Sequence, residues 1–360
     1  MKIKDRYIAN TLLTYSIVVL LVWLSIYSFF NFLAELNTVG TVNYTILEAF
    51  KYIVLQLPEV AYDQVSPIIL LGCVLGMGHL ATTGQLIILR ASGISILKIT
   101  WLTLKNAIIF LIFLTFIGEL VAPTLTTYAE NERSNALGQN SLSSSQDGFW
   151  IRDGDNFINV ENNVDGSLFN GITVIEVNKS NKIERVVESK SAIFDGQNIN
   201  MDSTNIFSIN STNLFDDIAL KERNLYKKQV AFDQDLINSL KKEPKDLTTL
   251  TIVKQIQFLT DNKLRAEVFE VELYKRLVKP ITLVAMILMA MLFIFGSIRD
   301  ATLGRKIFFG VAIGLSFELI SRIGGALALS FDFSPLLSTF VPAIVIMIIA
   351  TIALINKSIY

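Results

Sequence analysis

Two oppositely charged residues lie one helical turn apart within a long apolar stretch. Glu318 and Arg322 occupy positions i and i+4, which puts both side chains on one helix face and lets them form an ion pair. Ionisable side chains inside an apolar helix are costly and usually face a cavity or a partner. Counted at about 1.5 Å per residue from Lys306, Arg322 lies about 24 Å along this helix, at the depth of the outer leaflet. Two readings stay open: the pair stabilises helix packing, or Arg322 contacts an anionic group of a lipid through its planar guanidinium.

The sequence carries no arrangement that is typical of an enzyme. It contains one histidine, His79, and one cysteine, Cys73, and they form neither a nucleophile-base set nor a metal-ligand cluster. The phosphate-binding pattern Gly-x-x-x-x-Gly-Lys-Ser/Thr is missing as well. We therefore predict no catalytic or metal-binding residue and no cofactor bound by this chain. ATP with Mg²⁺, if it drives the protein, would be bound by a partner ATPase.

The segment Thr83–Leu97 is apolar where a short loop between membrane spans would normally be polar. Leu86, Ile87, Ile88 and Leu89 follow one another in it, and exposed apolar surface of this kind usually marks a docking site. One reading is a coupling helix that fits a groove on a cytoplasmic ATPase, and the other is a helix lying on the membrane surface. The predicted ATPase-coupling residues are Gln85, Leu86, Leu89, Arg90, Ser92 and Gly93.

Composition and apolar segment length indicate a membrane protein. The 360 residues are 52% hydrophobic and 18% charged, with a mean hydropathy of +0.50, which is too apolar for an average soluble domain. The net charge of −1 argues against a nucleic-acid partner. Roughly 20 apolar residues cross the hydrocarbon core of a bilayer. Six segments meet this length: Leu12–Leu33, Val60–Leu80, Ile99–Val121, Leu277–Phe295, Ile307–Leu329 and Pro335–Ile355.

The polar stretch between the third and fourth segments shows strand signals. Its β-branched or alternating runs are Asn156–Val160, Ile172–Val177, Arg185–Phe194 and Asn205–Ile209, and its turn dipeptides are Asp147-Gly148, Asp153-Gly154, Asp165-Gly166, Asn170-Gly171 and Asp195-Gly196. This spacing predicts antiparallel hairpins in a jelly-roll-like domain, with a helical pattern after Pro244. The alternation predicts that Ile158, Val160 and Val174 point inward, where they could line a conduit.

The predicted architecture is a membrane protein of six helices, three on each side of an inserted antiparallel β domain. Residues 1–122 hold the first three spans with a coupling helix at about 83–97. Residues 123–276 form the β-rich domain with its helical return, and residues 277–360 hold the last three spans. Lysine and arginine in short loops mark the cytoplasmic side. The short loops on one side of the spans carry only Lys51. The short loops and chain ends on the other side carry Lys2, Lys4, Arg6, Arg90, Lys98, Arg299, Arg305, Lys306 and Lys357. We therefore expect cytoplasmic termini and an external β domain.

Several short segments resemble the LptF/LptG permeases of lipopolysaccharide export. They are Lys4–Ile8 (KDRYI), Gly76–Leu80 (GMGHL) with Ala91–Gly93 (ASG), Gly118–Pro123 (GELVAP), Phe293–Gly296 (FIFG) and Gly148–Phe157 (GFWIRDGDNF). The segments keep the family's order through both halves of the chain and are closer to LptG than to LptF. The resemblance implies a non-enzymatic permease subunit in the inner membrane of a Gram-negative bacterium, with the β domain in the periplasm.

The resemblance also implies a set of partners and a substrate. Such a permease pairs with an LptF-like permease, is driven by a dimer of an LptB-like ATPase, and is joined by an LptC-like single-span protein. The assembly takes lipopolysaccharide from the outer leaflet of the inner membrane and passes it to a periplasmic bridge towards the outer membrane.

Two features of this sequence depart from the family's pattern. LptG proteins often carry lysines that meet lipid phosphates at the outer end of the first span, where this chain has Asn31, Asn37 and Thr38. The coupling loop often carries an acid where this chain has Gln85, which can form hydrogen bonds but no ion pair. Arg133, just beyond the third span, fits the family's pattern. The lipid-contact candidates are Arg133, Arg322, Glu318, Asn31, Asn37 and Thr38.

Other functions stay open at this stage. The chain could be the LptF-like subunit of the same complex, or a mechanotransmitting or sensor ABC permease that docks an ATPase but has no lipid path. A secondary transporter would have discontinuous helices and charged midplane sites, and only Glu318 and Arg322 point that way. Co-purification of an ATPase would exclude the secondary transporter.

Overall fold

The protein consists of two compact units. The computed structural model describes residues 3–138, 148–164, 167–178, 182–210, 217–239, 242–295, 303–331 and 333–359. The helical unit comprises Met1–Val39, Ala49–Ala129 and Glu267–Tyr360, and the sheet unit comprises Gly40–Glu48 and Glu130–Ala266. Asp147, the first residue of one predicted turn, and both residues of the predicted turn Asp165-Gly166 lie outside the described residues.

Helices precede and follow a single sheet along the chain. Those before the sheet are α1 (Ile3–Glu35), α2 (Ile46–Asp63), α3 (Val65–Thr82), α4 (Gln85–Ala91), α5 (Ile96–Leu120) and α6 (Ala122–Ala136). Those after it are α7 (Gln234–Ser239), α8 (Thr249–Asp261), α9 (Glu267–Ile294), α10 (Leu303–Ser330) and α11 (Pro335–Ile359), with a 3₁₀ turn at Pro244–Asp246. The helical return predicted after Pro244 is therefore present.

Six helices of the described residues are long and apolar enough to cross a membrane, which confirms the number of spans predicted. They contain Asp5–Glu35, Val65–Thr82, Ile96–Leu120, Glu267–Ile294, Phe308–Leu327 and Pro335–Asn356. The second span begins at Val65 rather than at Val60, because α2 ends at Asp63. Pro67 has no N–H to donate to the Asp63 carbonyl, so a continuous helix would lose a hydrogen bond there, whereas proline is tolerated in the first turn of α3.

Small residues allow the spans to approach closely in the helical unit. A Cβ atom added to Gly72 in α3 would meet the backbone of Ser16 in α1, and one added to Gly118 in α5 would meet the ring of Tyr62 in α2. Around these contacts, α3 is almost entirely buried, including Ile68 and Met77. Such close helix contacts explain how an apolar bundle is held without a hydrophobic driving force from water.

The sheet is an antiparallel meander of six strands. The strands are β1 (Phe149–Asp153), β2 (Asn156–Asn163), β3 (Leu168–Val177), β4 (Ile183–Phe194), β5 (Asn198–Asn210) and β6 (Asp217–Gln229), in the order β1-β2-β3-β4-β5-β6. The four strands expected from the sequence are present, and β1 and β6 were missed. Each described pairing joins strands that are consecutive in the chain. The antiparallel sheet is confirmed, and the jelly-roll-like arrangement stays a prediction.

One predicted turn is wrong. Asn170-Gly171 was expected to end a strand, but both residues lie inside β3. Gly171 has a φ of +72°, a conformation that glycine adopts without steric cost. The pairing of β2 with β3 keeps the same register on both sides of Gly171, from the pair Val160 and Ile172 to the pair Asn162 and Asn170, so the glycine lies within a continuous strand rather than in a turn.

The sheet is strongly curled. Lys228 on β6 donates to Asn156 Oδ1 on β2 at 2.9 Å and to Glu176 Oε1 on β3 at 2.6 Å. Neighbouring strands lie about 4.8 Å apart, so a flat sheet would separate β6 from β2 by about 19 Å. A lysine side chain cannot bridge that distance. The sheet therefore closes around its inner face, which carries the buried core.

We predict that Gly118→Ala destabilises the helical unit. The added Cβ would lie 2.2 Å from Tyr62 Cγ, and relieving this overlap should cost about 1–3 kcal/mol. Gly314→Ala is the matched control, because its Cβ would have its nearest neighbours at 3.6 Å and alanine favours a helix. Thermal unfolding of the full chain in detergent measures both, and equal midpoints for the two variants would contradict the packing described.

Candidate functional site

The short helix between the second and third spans, α4, exposes two apolar side chains. Gly84 at its N-cap has a φ of +74°, which turns the chain sharply after α3. Ile87 is exposed and Ile88 is 68% exposed, whereas Leu86 is only 4% exposed. Leu89 packs against the core of the helical unit. Ile87 and Ile88 therefore form the exposed apolar surface of α4. Leu86 and Leu89, which were expected to belong to this surface, pack within the protein instead.

The polar residues proposed for this segment have contacts within the chain. Tyr7 OH donates to Gln85 Oε1 at 2.5 Å, which joins α4 to the first helix. Ser92 Oγ donates to the Leu89 carbonyl at 2.8 Å, and Gly93 adopts a φ of +81°. Ser92 and Gly93 therefore mark the end of α4. Arg90 is exposed and, with Phe295, borders a pocket of ≈ 320 Å³ beside α4.

Glu318 and Arg322 form the ion pair expected from their spacing. Arg322 Nε donates to Glu318 Oε1 at 2.9 Å. The Arg322 side chain is 71% exposed and that of Glu318 is 37% exposed, so the pair lies on an outer face of the helical unit. Glu318 also borders a small pocket together with Trp23 on α1 and Leu71 on α3. In hydrocarbon an exposed ion pair would be very costly, so this face requires protein, water or a polar lipid group against it.

The polar residues at the end of the first helix are mostly satisfied locally. Asn31 Nδ2 donates to the Tyr27 carbonyl at 2.9 Å, and Thr38 Oγ1 donates to the Glu35 carbonyl at 2.7 Å. Asn37 is exposed in the turn that follows. Uncharged groups bound to their own backbone offer less to a phosphate than lysine side chains would.

Arg133 belongs to the sheet unit, in contrast to Arg322. It lies on α6, and its guanidinium carbon is 6.0 Å from the centre of the Tyr44 ring. A cation at this distance from an aromatic face is attracted by the ring. Tyr44 is buried, so it holds the arginine in place. Arg133 has its aromatic partner within the sheet unit, whereas Arg322 is paired with Glu318 within the helical unit.

The three conduit candidates lie in the core of the curled sheet. Ile158, Val160 and Val174 are all fully buried and belong to one apolar cluster. Ile158 is opposite Val174 in the pairing of β2 with β3. The row continues across the sheet through Val187 and Ile206. This apolar row faces the inside of the curl.

A polar cluster interrupts this apolar interior. Glu176 accepts hydrogen bonds from Lys228 and from Tyr226, the latter at 3.0 Å, and lies 3.4 Å from Arg185 Nη1. Burial alone would raise the pKa of the Glu176 carboxyl, but the bond and charge of Lys228, with Tyr226 and Arg185, hold the pKa below its usual value. Glu176 is therefore ionised at neutral pH and fixes the closure of the sheet.

Sequence reasoning missed a cluster of charged residues at the ends of three helices, which we call the span-end cluster. Arg276 Nη1 on α9 lies 3.3 Å from Glu119 Oε1 on α5, and Arg276 Nε lies 3.3 Å from Glu272 Oε1. The Arg276 side chain is only 8% exposed. Tyr62 OH donates to the same Glu119 oxygen at 3.2 Å. A buried arginine between two carboxylates joins α2, α5 and α9.

Lys279 completes the span-end cluster. Its Nζ lies 3.3 Å from Asp63 Oδ1 and 3.1 Å from the centre of the Tyr62 ring. The only local signal for the cluster was the spacing of Glu272 and Arg276, which are four residues apart. The contact with Glu119 spans 157 residues of sequence, so no sequence pattern could reveal it. Among the described residues no group of three His, Cys, Asp or Glu side chains could hold a metal ion.

Comparison with known proteins covers nearly the whole chain. The model of the lipopolysaccharide export system permease LptF/LptG family matches residues 6–357. The chain is 26% identical to the lipopolysaccharide export system permease protein LptG of Escherichia coli strain K12, over 99% of both chains, and the same values hold for LptG of Escherichia coli O6:H1. It is 23% identical to LptG of Haemophilus influenzae, over 96% of both chains.

We predict that Arg276→Leu strongly destabilises the helical unit. The substitution leaves the Glu119 and Glu272 carboxylates without their buried cation, which should cost about 3–5 kcal/mol. Lys275→Leu is the matched control, since this cation on the same helix is 45% exposed and 3.8 Å from Glu272, and should cost less than about 1 kcal/mol. Thermal unfolding in detergent compares the variants, and a small loss for Arg276→Leu would show that the cluster does not stabilise the bundle.

Proposed function

The chain belongs to the LptF/LptG family of lipopolysaccharide export permeases, and we propose that it acts as the LptG-type subunit of an ATP-driven exporter. It is a transmembrane permease for lipopolysaccharide transport. The observation that carries this function is the extent of the family match, which includes all six spans and the sheet. The proposed partners are an LptF-like permease, a dimeric LptB-like ATPase that binds ATP and Mg²⁺, and an LptC-like single-span protein.

We further propose that the protein resides in the bacterial inner membrane with its termini in the cytoplasm and its sheet unit in the periplasm. The excess of lysine and arginine on one side of the spans supports this orientation. The proposed path takes lipopolysaccharide from the outer leaflet, through the inside of a jelly-roll-like domain, to a periplasmic bridge. The curl of the sheet around an apolar row supports such a path, because acyl chains need an apolar surface shielded from water.

The ATPase is proposed to dock on α4. Ile87 and Ile88 are exposed on a short helix between two spans, as expected of a coupling helix that inserts into a groove. The pocket of ≈ 320 Å³ bordered by Ile87 and Arg90 could accept a side chain from the ATPase. Gln85 is held by Tyr7 and so positions the helix rather than pairing with the ATPase as a charge.

The lipid is proposed to meet the exposed ion pair on α10. Because the Arg322 side chain is 71% exposed, packing within the described part of the chain covers only a small part of it. An anionic lipid group or the partner permease would both satisfy the exposed guanidinium, and its depth in the outer leaflet favours the lipid. Arg133, held by Tyr44, is proposed as a second lipid contact, and Asn31, Asn37 and Thr38 as weaker polar ones.

We predict that Ile88→Asp abolishes co-purification of the ATPase. Burying an unpaired carboxylate in the docking interface costs several kcal/mol. Ser95→Asp is the matched control, because it adds the same charge nearby at the N-cap of α5, where aspartate is an equally good cap. Leu89→Asp is unsuitable, since Leu89 supports the fold. Normal ATPase recovery with folded Ile88→Asp would exclude this docking surface.

We predict that Arg322→Gln impairs lipopolysaccharide release from proteoliposomes and that adding Glu318→Gln does not restore it. If Arg322 only balanced the Glu318 charge, the neutral double variant would regain transport. The control is Arg305→Gln, the same substitution about 26 Å away on the same helix, which should leave release unchanged. Restored release in the stable double variant would contradict a lipid contact.

We predict that photocrosslinkers at Ile158, Val160 or Val174 capture lipopolysaccharide only when ATP is supplied. Their side chains face the proposed path, whereas Asn159, the control position, faces the opposite side because side chains alternate along a strand. Adducts are detected by immunoblotting of the full complex. If adducts form without ATP, or if they form equally at Asn159, the sheet does not act as a conduit for the lipid.

A further inference from the structure

A single side-chain hydrogen bond joins the start of the first helix to the helix proposed to receive the ATPase. Tyr7 OH on α1 donates to Gln85 Oε1 at 2.5 Å, across 78 positions of sequence. Gln85 is the first residue of α4, the helix that exposes Ile87 and Ile88. The docking helix is therefore bonded to α1, although its neighbours along the chain are α3 and α5.

The part of α1 next to this bond is firmly packed. Its buried residues are Ile8, Ala9, Leu12, Ser16 and Val19, and the spacing of most of them by three or four positions puts them on one helix face. A Cβ atom added to Gly72 on α3 would overlap the Ser16 backbone, and Leu86 on α4 belongs to the same buried cluster. We call Tyr7–Val19 the base of α1. The base cannot shift without α3 and α4.

The other end of α1 lacks this packing. Leu20, Trp23 and Leu24 touch the core only partly, and no residue of Ser25–Glu35 belongs to it. We call Ser25–Glu35 the exposed end of α1. Leu33 lies 14 residues beyond Val19, about 21 Å along the helix, so a tilt of the base by about 10° would move Leu33 by about 4 Å. A small displacement of the base therefore becomes a larger one at the exposed end.

We propose that the hydrogen bond between Tyr7 and Gln85 transmits movement of α4 to α1, so that ATP hydrolysis changes the position of the exposed end. Tyr7 is then a positioning residue, because it acts through Gln85 rather than by touching lipid or ATP. This inference rests on the proposed function, since the docked ATPase is what moves α4. A bond that only stabilised the fold would not change the amount of lipid released for each ATP hydrolysed.

Removal of the Tyr7 hydroxyl tests the proposal in the full complex. ATP hydrolysis and lipopolysaccharide release are measured together in proteoliposomes that contain Tyr7→Phe. We expect release per ATP to fall about two- to tenfold, the effect of losing one neutral hydrogen bond, while the hydrolysis rate stays normal. Tyr15→Phe is the matched control on the same helix. Within the described part of the chain, Tyr15 makes its contacts through the ring, beside His79.

Changes at Gln85 test whether the two side chains act through one bond. Gln85→Leu removes the acceptor, and combining it with Tyr7→Phe should lower release per ATP no further than either change alone. Gln85→Glu should retain normal release per ATP, because a carboxylate also accepts a hydrogen bond from the Tyr7 hydroxyl. Additive losses in the double variant would contradict the proposed link.

A distance measurement follows the exposed end itself. Nitroxide labels are attached at Phe30→Cys on α1 and Phe116→Cys on α5, two exposed positions, in a Cys73→Ser background. The distance between the labels is measured without nucleotide and after ATP is trapped with vanadate. We expect trapping to change the distance when Tyr7 or Tyr15→Phe is present, and to leave it unchanged in Tyr7→Phe.

The outcomes separate this inference from the exporter role. Normal release per ATP in folded Tyr7→Phe, or an unaltered change of distance in that variant, overturns the link through Tyr7 and leaves the exporter role intact. A fall in hydrolysis matched by an equal fall in release also overturns the link. A wild-type complex that hydrolyses ATP without releasing lipopolysaccharide overturns the exporter role, and this inference with it.

Discussion

The contact of Arg276 with Glu119 joins two helices that lie on either side of the long segment Glu130–Ala266 in the chain. Glu119 lies shortly before this segment and Arg276 lies shortly after it, so the ion pair ties together two stretches of the helical unit that are far apart in sequence. Tyr62 and Gly118 pack at the same helix ends. Because Arg276 is almost fully buried between two carboxylates, all three charges must stay together or be exposed at considerable cost.

Charge placement separates structural pairs from functional ones in this protein. The ion pair of Arg276 with Glu119 is buried and, together with Tyr62, joins three helices, whereas the Arg322 side chain is mostly exposed on α10. The same residue types at the same i, i+4 spacing thus have different surroundings. The buried pair requires no partner to explain it. For the exposed pair, we propose a charged group of the transported lipid as the partner.

The sequence predicted those features that depend on local constraints. Bilayer thickness sets span length, so the six spans were evident, and the ion pair of Glu318 and Arg322 followed from helix periodicity. The face of α4 could not be predicted, because Leu86, Ile87 and Ile88 are equally apolar and only packing decides which is buried. The edge strand β6 was missed because it is rich in charged residues. Gly171 was wrongly predicted to lie in a turn, because the sequence does not distinguish a glycine inside a strand from a glycine that ends one. The hydrogen bond between Gly154 and Asn262 could not be foreseen at all, because these residues lie 108 positions apart in the chain.

We propose that the apolar interior of the sheet shields acyl chains from water during transport. The most direct test of the exporter role measures ATP hydrolysis and lipopolysaccharide release together, using proteoliposomes that contain the purified complex with this chain. We expect lipopolysaccharide to be released to an acceptor only while ATP is hydrolysed. Sustained hydrolysis with no release of lipopolysaccharide would contradict the exporter role and would indicate a permease that transmits force or signals instead of moving lipid.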